Sequence, residues 1–224
     1  MEKMDQSGPD IGIVTGFIGS KGMDKLMVAL EEKIHPASCE LIPSAPLHKA
    51  FLHPEAVIEA VSRQVEALDS RNLVLIGHSY GALIALVVAC RRRLKGISKL
   101  FLIDGPLNSH IKVRPSKPLH NLFYRHYANR EALARECEET LAGLDSSDSE
   151  KIVSIGSGFD NVVPPNAKII PGNMGMVILS HDDDVRPDFL GKERGHNIVL
   201  PASYKGHGIK NRIPIVSDII CYSI

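Results

Sequence analysis

Apolar and polar residues follow two patterns along this chain. Short apolar runs, typical of buried strands, are separated by segments in which apolar residues recur every three or four positions, as on one face of a helix. The apolar runs lie at 11–15, 39–42, 72–76, 99–103, 152–155 and 197–200, and the helical segments at 23–34, 54–68, 83–94, 129–144 and 212–220. This alternation predicts a doubly wound, mostly parallel α/β sheet covered by helices on both faces.

Two segments interrupt the alternation. Residues 105–149 join a stretch rich in proline and histidine to a charged helical segment, and we expect them to form a small lid or cap over the sheet. Residues 165–195 are a second, irregular insertion between two strands. No repeat or low-complexity linker divides the chain, so residues 1–224 are expected to form a single domain.

Charge and composition limit which partners and which cellular compartment we expect for this protein. The 26 basic residues balance 26 acidic ones, which leaves no field to attract nucleic acid or an anionic membrane surface. The longest apolar run, 82–90, is too short for a bilayer span of about 20 residues, and residues 1–10 lack the apolar core of a secretory signal. The widely spaced cysteines are typical of free thiols in a reducing compartment. We therefore expect a cytoplasmic protein.

The sharpest chemical signal is a Gly-His-Ser-Tyr-Gly pentapeptide at 77–81. It lies between an apolar strand at 73–76 and an apolar helix at 83–89, which is the setting that a nucleophile elbow requires. Small flanking residues let the strand and the helix approach each other, and the serine then stands at a helix N-terminus, where the dipole favours negative charge. The pattern predicts Ser79 as a nucleophile.

With this motif in this setting, the chain resembles the α/β-hydrolase superfamily of serine esterases, lipases and thioesterases over nearly its whole length. In that family the nucleophile, the acid and the histidine follow one another, each on a loop after a strand. The resemblance implies Asp160, in the loop after 152–155, as the acid that orients the imidazole. It implies His207, which follows the strand at 197–200 and is flanked by glycines, as the general base.

Other residues compete for these roles. Asp104 also follows a strand and is the second candidate for the acid, although the adjacent Gly-Pro indicates a turn in which its side chain bonds to backbone amides. His196 precedes its strand and would therefore lie at the opposite edge of a parallel sheet. His78 occupies the variable position of the elbow and is expected to be packed or solvated.

An oxyanion hole in this family uses backbone N–H groups. The resemblance implies those of Phe17, in the first glycine loop, and Tyr80, directly after the nucleophile. The first loop has Thr15–Gly16 where the family often has His-Gly, a departure that keeps the N–H donor. Losing one such donor typically costs about 3 kcal/mol of transition-state stabilisation.

The resemblance implies cleavage of a small carboxylic ester or thioester through an acyl-enzyme, without a metal or an organic cofactor. A modest acyl or aryl group suits the mixed aromatic and charged character of 105–149. The His-Asp-Asp-Asp run at 181–184 is expected to be a solvated loop, because neighbouring residues of an extended chain point in opposite directions. Two alternatives stay open: a catalytically silent binding or partner-interaction protein, and a lyase or carbon–carbon hydrolase that uses the same triad.

Overall fold

The computed structural model describes most of the chain. The described residues are 8–16, 22–44, 53–110, 120–158, 160, 163, 165–170, 175–179, 196–201, 203–204 and 208–224. Of the predicted site residues, Phe17 and His207 lie outside these ranges, as does the acidic run at 181–184.

Within the described residues, seven strands form one parallel sheet in the order β2-β1-β3-β4-β5-β7-β6. The strands are β1 Asp10–Thr15, β2 Ser38–Pro43, β3 Leu73–His78, β4 Ile97–Ile103, β5 Ile152–Ser157, β6 Gly175–Ile178 and β7 His196–Leu200. The predicted doubly wound sheet is therefore confirmed.

Strand β6 was not expected, because it lies inside the insertion at 165–195. It has only four residues and pairs on one side, with β7. Met176 and Ile178 are 57% and 66% exposed at this edge, so the strand lacks the continuous buried run that marks the central strands. A short edge strand of this kind leaves little periodicity to read in a sequence.

Helices cover both faces of the sheet. They are α1 Met23–Ile34, α2 Pro54–Ala67, α3 Tyr80–Arg91, α4 His120–Ala142, α5 Ser146–Ser149 and α6 Ile213–Ser223, with 3-10 helices at Pro165–Lys168 and Ile209–Arg212. Helices α1 and α6 pack against one face, and α2, α3 and α4 pack against the other. Alternate strand residues serve the two layers: Leu75 faces α3, whereas Val74 and Ile76 face α1 and α6.

Helix α3 is the most deeply buried helix element described. Every residue from Tyr80 to Cys90 is buried, which is typical of a helix that is enclosed on all sides. The sheet, α2 and α4 surround it. The free thiols of Cys90 on α3 and Cys137 on α4 lie against each other. The elbow at the start of α3 therefore stands on a rigid support.

The helical part of 105–149 is more than a lid. Leu133, Ala134 and Cys137 of α4 are buried in the core against α3, so the second half of α4 covers the sheet as an ordinary crossover helix between β4 and β5. The sequence did not predict this core position, because the small and apolar residues of this charged helix form only a narrow buried stripe. For the residues that precede the second half of α4, the lid stays a prediction.

Candidate active site

The sheet reverses its strand order between β1 and β3. From β1 the chain moves outward to β2, and from β3 it moves in the other direction to β4 and β5. In open α/β sheets, ligands bind in the crevice at the carboxyl ends of the two strands that flank such a reversal, the topological switch point. Gly16 follows β1 and Ser79 follows β3, so both lie at this crevice.

Ser79 has a backbone conformation that L-residues rarely adopt, with φ 58° and ψ −128°. Its N–H donates to the carbonyl of Ile103 at 2.8 Å, and its own carbonyl accepts from the N–H of Ala82 at 3.0 Å. These bonds hold the strained turn between β3 and α3. Strain of this kind persists where the surroundings enforce it, and it collects at functional sites.

Glycines make the sharp turn possible. A Cβ added at Gly77 would lie 2.5 Å from the Cα of Ala82, and one added at Gly81 would collide with the carbonyl oxygen of Val14. Strand β3, helix α3 and the end of β1 therefore approach as closely as the missing side chains allow. The tertiary contacts explain the G-x-S-x-G spacing that the sequence showed.

Gly16, which begins the first glycine loop, contacts the elbow directly. A Cβ built on Gly16 would lie 2.9 Å from the carbonyl oxygen of His78 and 3.0 Å from the Cβ of Ser79. The predicted N–H donor, Phe17, is the next residue along the chain but lies outside the described part. The other predicted donor, Tyr80, directly follows Ser79 and is the first residue of α3.

The two candidate acids lie on either side of one buried lysine. The Nζ atom of Lys168 is 2.6 Å from Oδ1 of Asp104 and 2.8 Å from Oδ2 of Asp160. The three side chains are at most 1% exposed. The sequence analysis missed Lys168. The one signal in the sequence was its position, as a lone charged residue directly before the apolar pair Ile169–Ile170.

Arg212 completes this cluster. Its guanidinium is fully buried, pairs with Oδ2 of Asp104, and donates through Nε and Nη2 to the carbonyl of Gly208 at 3.3 and 3.1 Å. Gly208 directly follows the predicted base, His207. Two carboxylates and two cations therefore balance, as buried charges require.

Asp104 is held by partners at both of its oxygens. Oδ1 accepts from the backbone N–H of Ser157 at 2.9 Å as well as from Lys168, and Oδ2 faces Arg212. Burial alone would raise the pKa of this carboxyl, but Arg212 and Lys168, with a further contribution from His78, hold the pKa below its ordinary value. Asp104 therefore ties β4, β5 and the 3-10 helices together as an anion.

Asp160 has a different environment. Its Oδ1 accepts from the backbone N–H of Val163 at 3.1 Å, and its Oδ2 faces Lys168. Its role as the acid of a triad stays a prediction.

The remaining candidates are placed as follows. His196 is the first residue of β7 and pairs with Val153 near the start of β5, so it lies at the amino end of the sheet, away from Ser79. Among the described residues, His, Cys, Asp and Glu form no group of three that could hold a metal ion. In the same part of the chain, no helix combines the length and apolar character needed to cross a membrane.

Comparisons with known proteins add evidence on the fold. No family model and no curated protein matches the sequence. Solved structures do match over nearly the full chain. The metagenome-derived lipolytic enzymes LipS and LipT are represented by a structure with 13% identity and a TM-score of 0.60, covering 96% of this chain and 93% of that one.

Two further solved structures agree. A monoacylglycerol lipase from Paleococcus ferrophilus has 12% identity and a TM-score of 0.57, with 97% of each chain covered. The thioesterase domain from the curacin biosynthetic pathway has 12% identity and a TM-score of 0.54, covering 95% of this chain and 91% of that one. Together with the sheet order and the elbow, these similarities show that the chain has the α/β-hydrolase fold.

Proposed function

We propose that this protein is a serine hydrolase that cleaves a carboxylic ester or thioester through an acyl-enzyme. The observation that carries the proposal is the backbone of Ser79, held at φ 58° at the N-terminus of the buried helix α3 and at the switch point of the sheet. Backbone strain of this kind costs energy and clusters at active sites, where it is part of the mechanism. The proposed nucleophile is therefore Ser79.

The proposed reaction begins when the imidazole of His207 takes the proton of Ser79 Oγ as the oxygen attacks the acyl carbonyl. The backbone N–H groups of Phe17 and Tyr80 stabilise the resulting oxyanion. The imidazolium then protonates the leaving alcohol or thiol, and the acyl group stays on Ser79. Water, deprotonated by His207, releases the acid and regenerates the serine.

Asp160 is the proposed partner of His207. It would accept the Nδ1–H of the imidazole, which fixes the tautomer and stabilises the imidazolium. Its support comes from its neighbours: the Val163 N–H and the Lys168 ammonium hold the carboxylate inside the protein. Arg212 would help to place the base, because it binds the carbonyl of Gly208 next to His207.

Fluorophosphonate labelling of Ser79 tests the proposal. An activated serine forms a covalent phosphonyl adduct that intact mass detects, whereas an ordinary hydroxyl does not react. We expect one adduct on the wild type and none on Ser79→Ala. Ser62→Ala is a matched control, since Ser62 is a helix serine whose hydroxyl donates to Glu66, and this variant should label as the wild type does.

The substrate class is proposed as a modest acyl or aryl ester. A series of p-nitrophenyl esters of increasing acyl length tests it, and we expect the highest kcat/KM below about eight carbons, an order-of-magnitude limit for an ordinary pocket. Activity that keeps rising with longer chains would contradict the short-acyl proposal and leave the hydrolase proposal intact.

One observation favours a second candidate, a catalytically silent binding or partner-interaction protein. The ammonium of Lys168 compensates part of the charge that Asp160 would offer to an imidazole. A wild type that stays unlabelled over the whole pH range would support this candidate. Labelling that depends on Ser79 would exclude it.

A further inference from the structure

We infer that Lys168 is a positioning residue of the proposed site, which holds Asp160 in place and determines the pH at which the proposed base becomes active. The inference rests on the proposed function, because it needs Asp160 and His207 to act as a pair. It adds a residue to the site that neither the elbow motif nor the order of the triad identifies.

The contacts of Lys168 leave its ammonium no freedom. An ammonium has three N–H donors, and Lys168 directs them at Asp104, Asp160 and the carbonyl of Ser157, the last at 3.2 Å. The side chain is 1% exposed, so water does not replace these acceptors. The cation therefore stays fixed beside both carboxylates.

The backbone of Lys168 is held as firmly as its side chain. Its carbonyl accepts the hydroxyl of Ser154, on β5, at 2.6 Å. Its methylene groups lie over Gly156, where an added Cβ would be 3.1 Å from Cδ. The 3-10 helix Pro165–Lys168 thus places the ammonium at the carboxyl end of β5, from which the acid loop begins.

Other charged groups face the same cluster. Asp104 approaches from the end of β4 and Arg212 from the 3-10 helix after the base loop, and His78 of the elbow lies near enough to Asp104 to influence its pKa. Arg212 compensates Asp104, so part of the Lys168 charge acts on Asp160. Lys168 is thus shared between the two acids.

The sign of the effect on the base follows from this charge. A cation beside Asp160 repels an imidazolium bound to that carboxylate, so it opposes protonation of the proposed base. Since the base acts when it is neutral, Lys168 extends the activity of the site toward lower pH.

The test is the pH dependence of the fluorophosphonate labelling rate at Ser79. We expect Lys168→Met to move the midpoint of the acidic limb upward by about one pH unit, which is about a tenfold slower reaction below that midpoint. Lys168→Arg keeps a cation, so its midpoint should lie closer to the wild-type value than that of Lys168→Met. Asp104→Asn keeps Lys168 and should not move the midpoint upward.

Loss of a buried cation also threatens folding, so a charge-balanced variant is included. Lys168→Met combined with Asp104→Asn removes one cation and one anion, so the buried cluster keeps one of each, Arg212 and Asp160. Circular dichroism and thermal unfolding show whether each variant folds. The double variant should shift the midpoint upward by less than Lys168→Met does, because the loss of Asp104 leaves the charge of Arg212 uncompensated in the same cluster.

The outcomes separate the two proposals. A wild type that labels at Ser79, together with folded Lys168 variants whose midpoint does not move, would overturn the role of Lys168 alone, even if the plateau rate falls. A wild type that never labels would overturn the serine hydrolase and this inference with it.

Discussion

Gly16 and Ser79 are in contact across the switch point of the sheet: a Cβ on Gly16 would lie 3.0 Å from Cβ and 3.5 Å from Oγ of Ser79. Gly16 therefore limits the space beside the proposed nucleophile. The first glycine loop, which begins at Gly16, carries the proposed N–H donor, Phe17. A small change at Gly16 should thus affect reactivity as well as stability.

Gly16→Ala should slow fluorophosphonate labelling and ester hydrolysis at least about tenfold, because the new methyl group displaces either the loop or Ser79 from the reactive arrangement. The added group would also meet the carbonyl of His78 at 2.9 Å. Labelling rates under matched conditions measure the effect. Gly143→Ala is the control, since its added Cβ would make only an ordinary contact with Thr140, at 3.5 Å.

Gly81→Ala should destabilise the protein by about 1–3 kcal/mol, the usual cost of overpacking. The new Cβ would meet the carbonyl carbon and oxygen of Thr15, each at 2.7 Å, and backbone atoms cannot move aside as a flexible side chain can. Chemical denaturation measures the loss in the free energy of unfolding. An unchanged denaturation midpoint would show that α3 and β1 can separate at no cost.

Asp104→Ala should cost about 3–5 kcal/mol at neutral pH, because it leaves Lys168 and Arg212 buried with less negative charge. Asp104→Asn should cost less, since its amide oxygen can still accept the N–H of Ser157. Urea denaturation of both variants at pH 7 gives the two free energies. Equal costs would show that the hydrogen bond from Ser157 contributes nothing.

The stability that Asp104 contributes should depend on pH. Its folded-state pKa lies below the ordinary value of 3.8, so the contribution is complete above that value and is lost as the pH falls through the lower folded-state pKa. The wild type should therefore lose more stability than Asp104→Asn on acidification below pH ~4. Denaturation at a series of acidic pH values compares the two slopes, and parallel slopes would contradict the assignment.

Arg91→Ala should lower the free energy of unfolding by about 0.5–1 kcal/mol at low salt. Arg91 of α3 joins Glu55 of α2 and Glu136 of α4, but all three groups are partly exposed and are therefore screened by salt. Arg92→Ala, which removes a single pair with Glu66, should cost less. The difference in unfolding free energy between the two variants should shrink in 1 M salt. At that concentration the Debye length is about 3 Å, so even charges a few ångströms apart are screened.

The sequence alone determined the parallel sheet, its flanking helices and the elbow around Ser79, because hydrophobic periodicity and turn glycines are local signals. It could not show that the second half of α4 joins the core, since Leu133 and Ala134 gain their neighbours from α3. It also missed β6, which exists through its pairing with β7 alone.

Only the tertiary structure decided what surrounds the two acids. Lys168 and Asp104 are 64 positions apart, and they meet because β4 and β5 are neighbours and the chain after β5 folds back over their carboxyl ends. Arg212 reaches Asp104 from the last segment of the chain. No local pattern encodes such a cluster, because burial and charge compensation depend on the arrangement of whole elements in space.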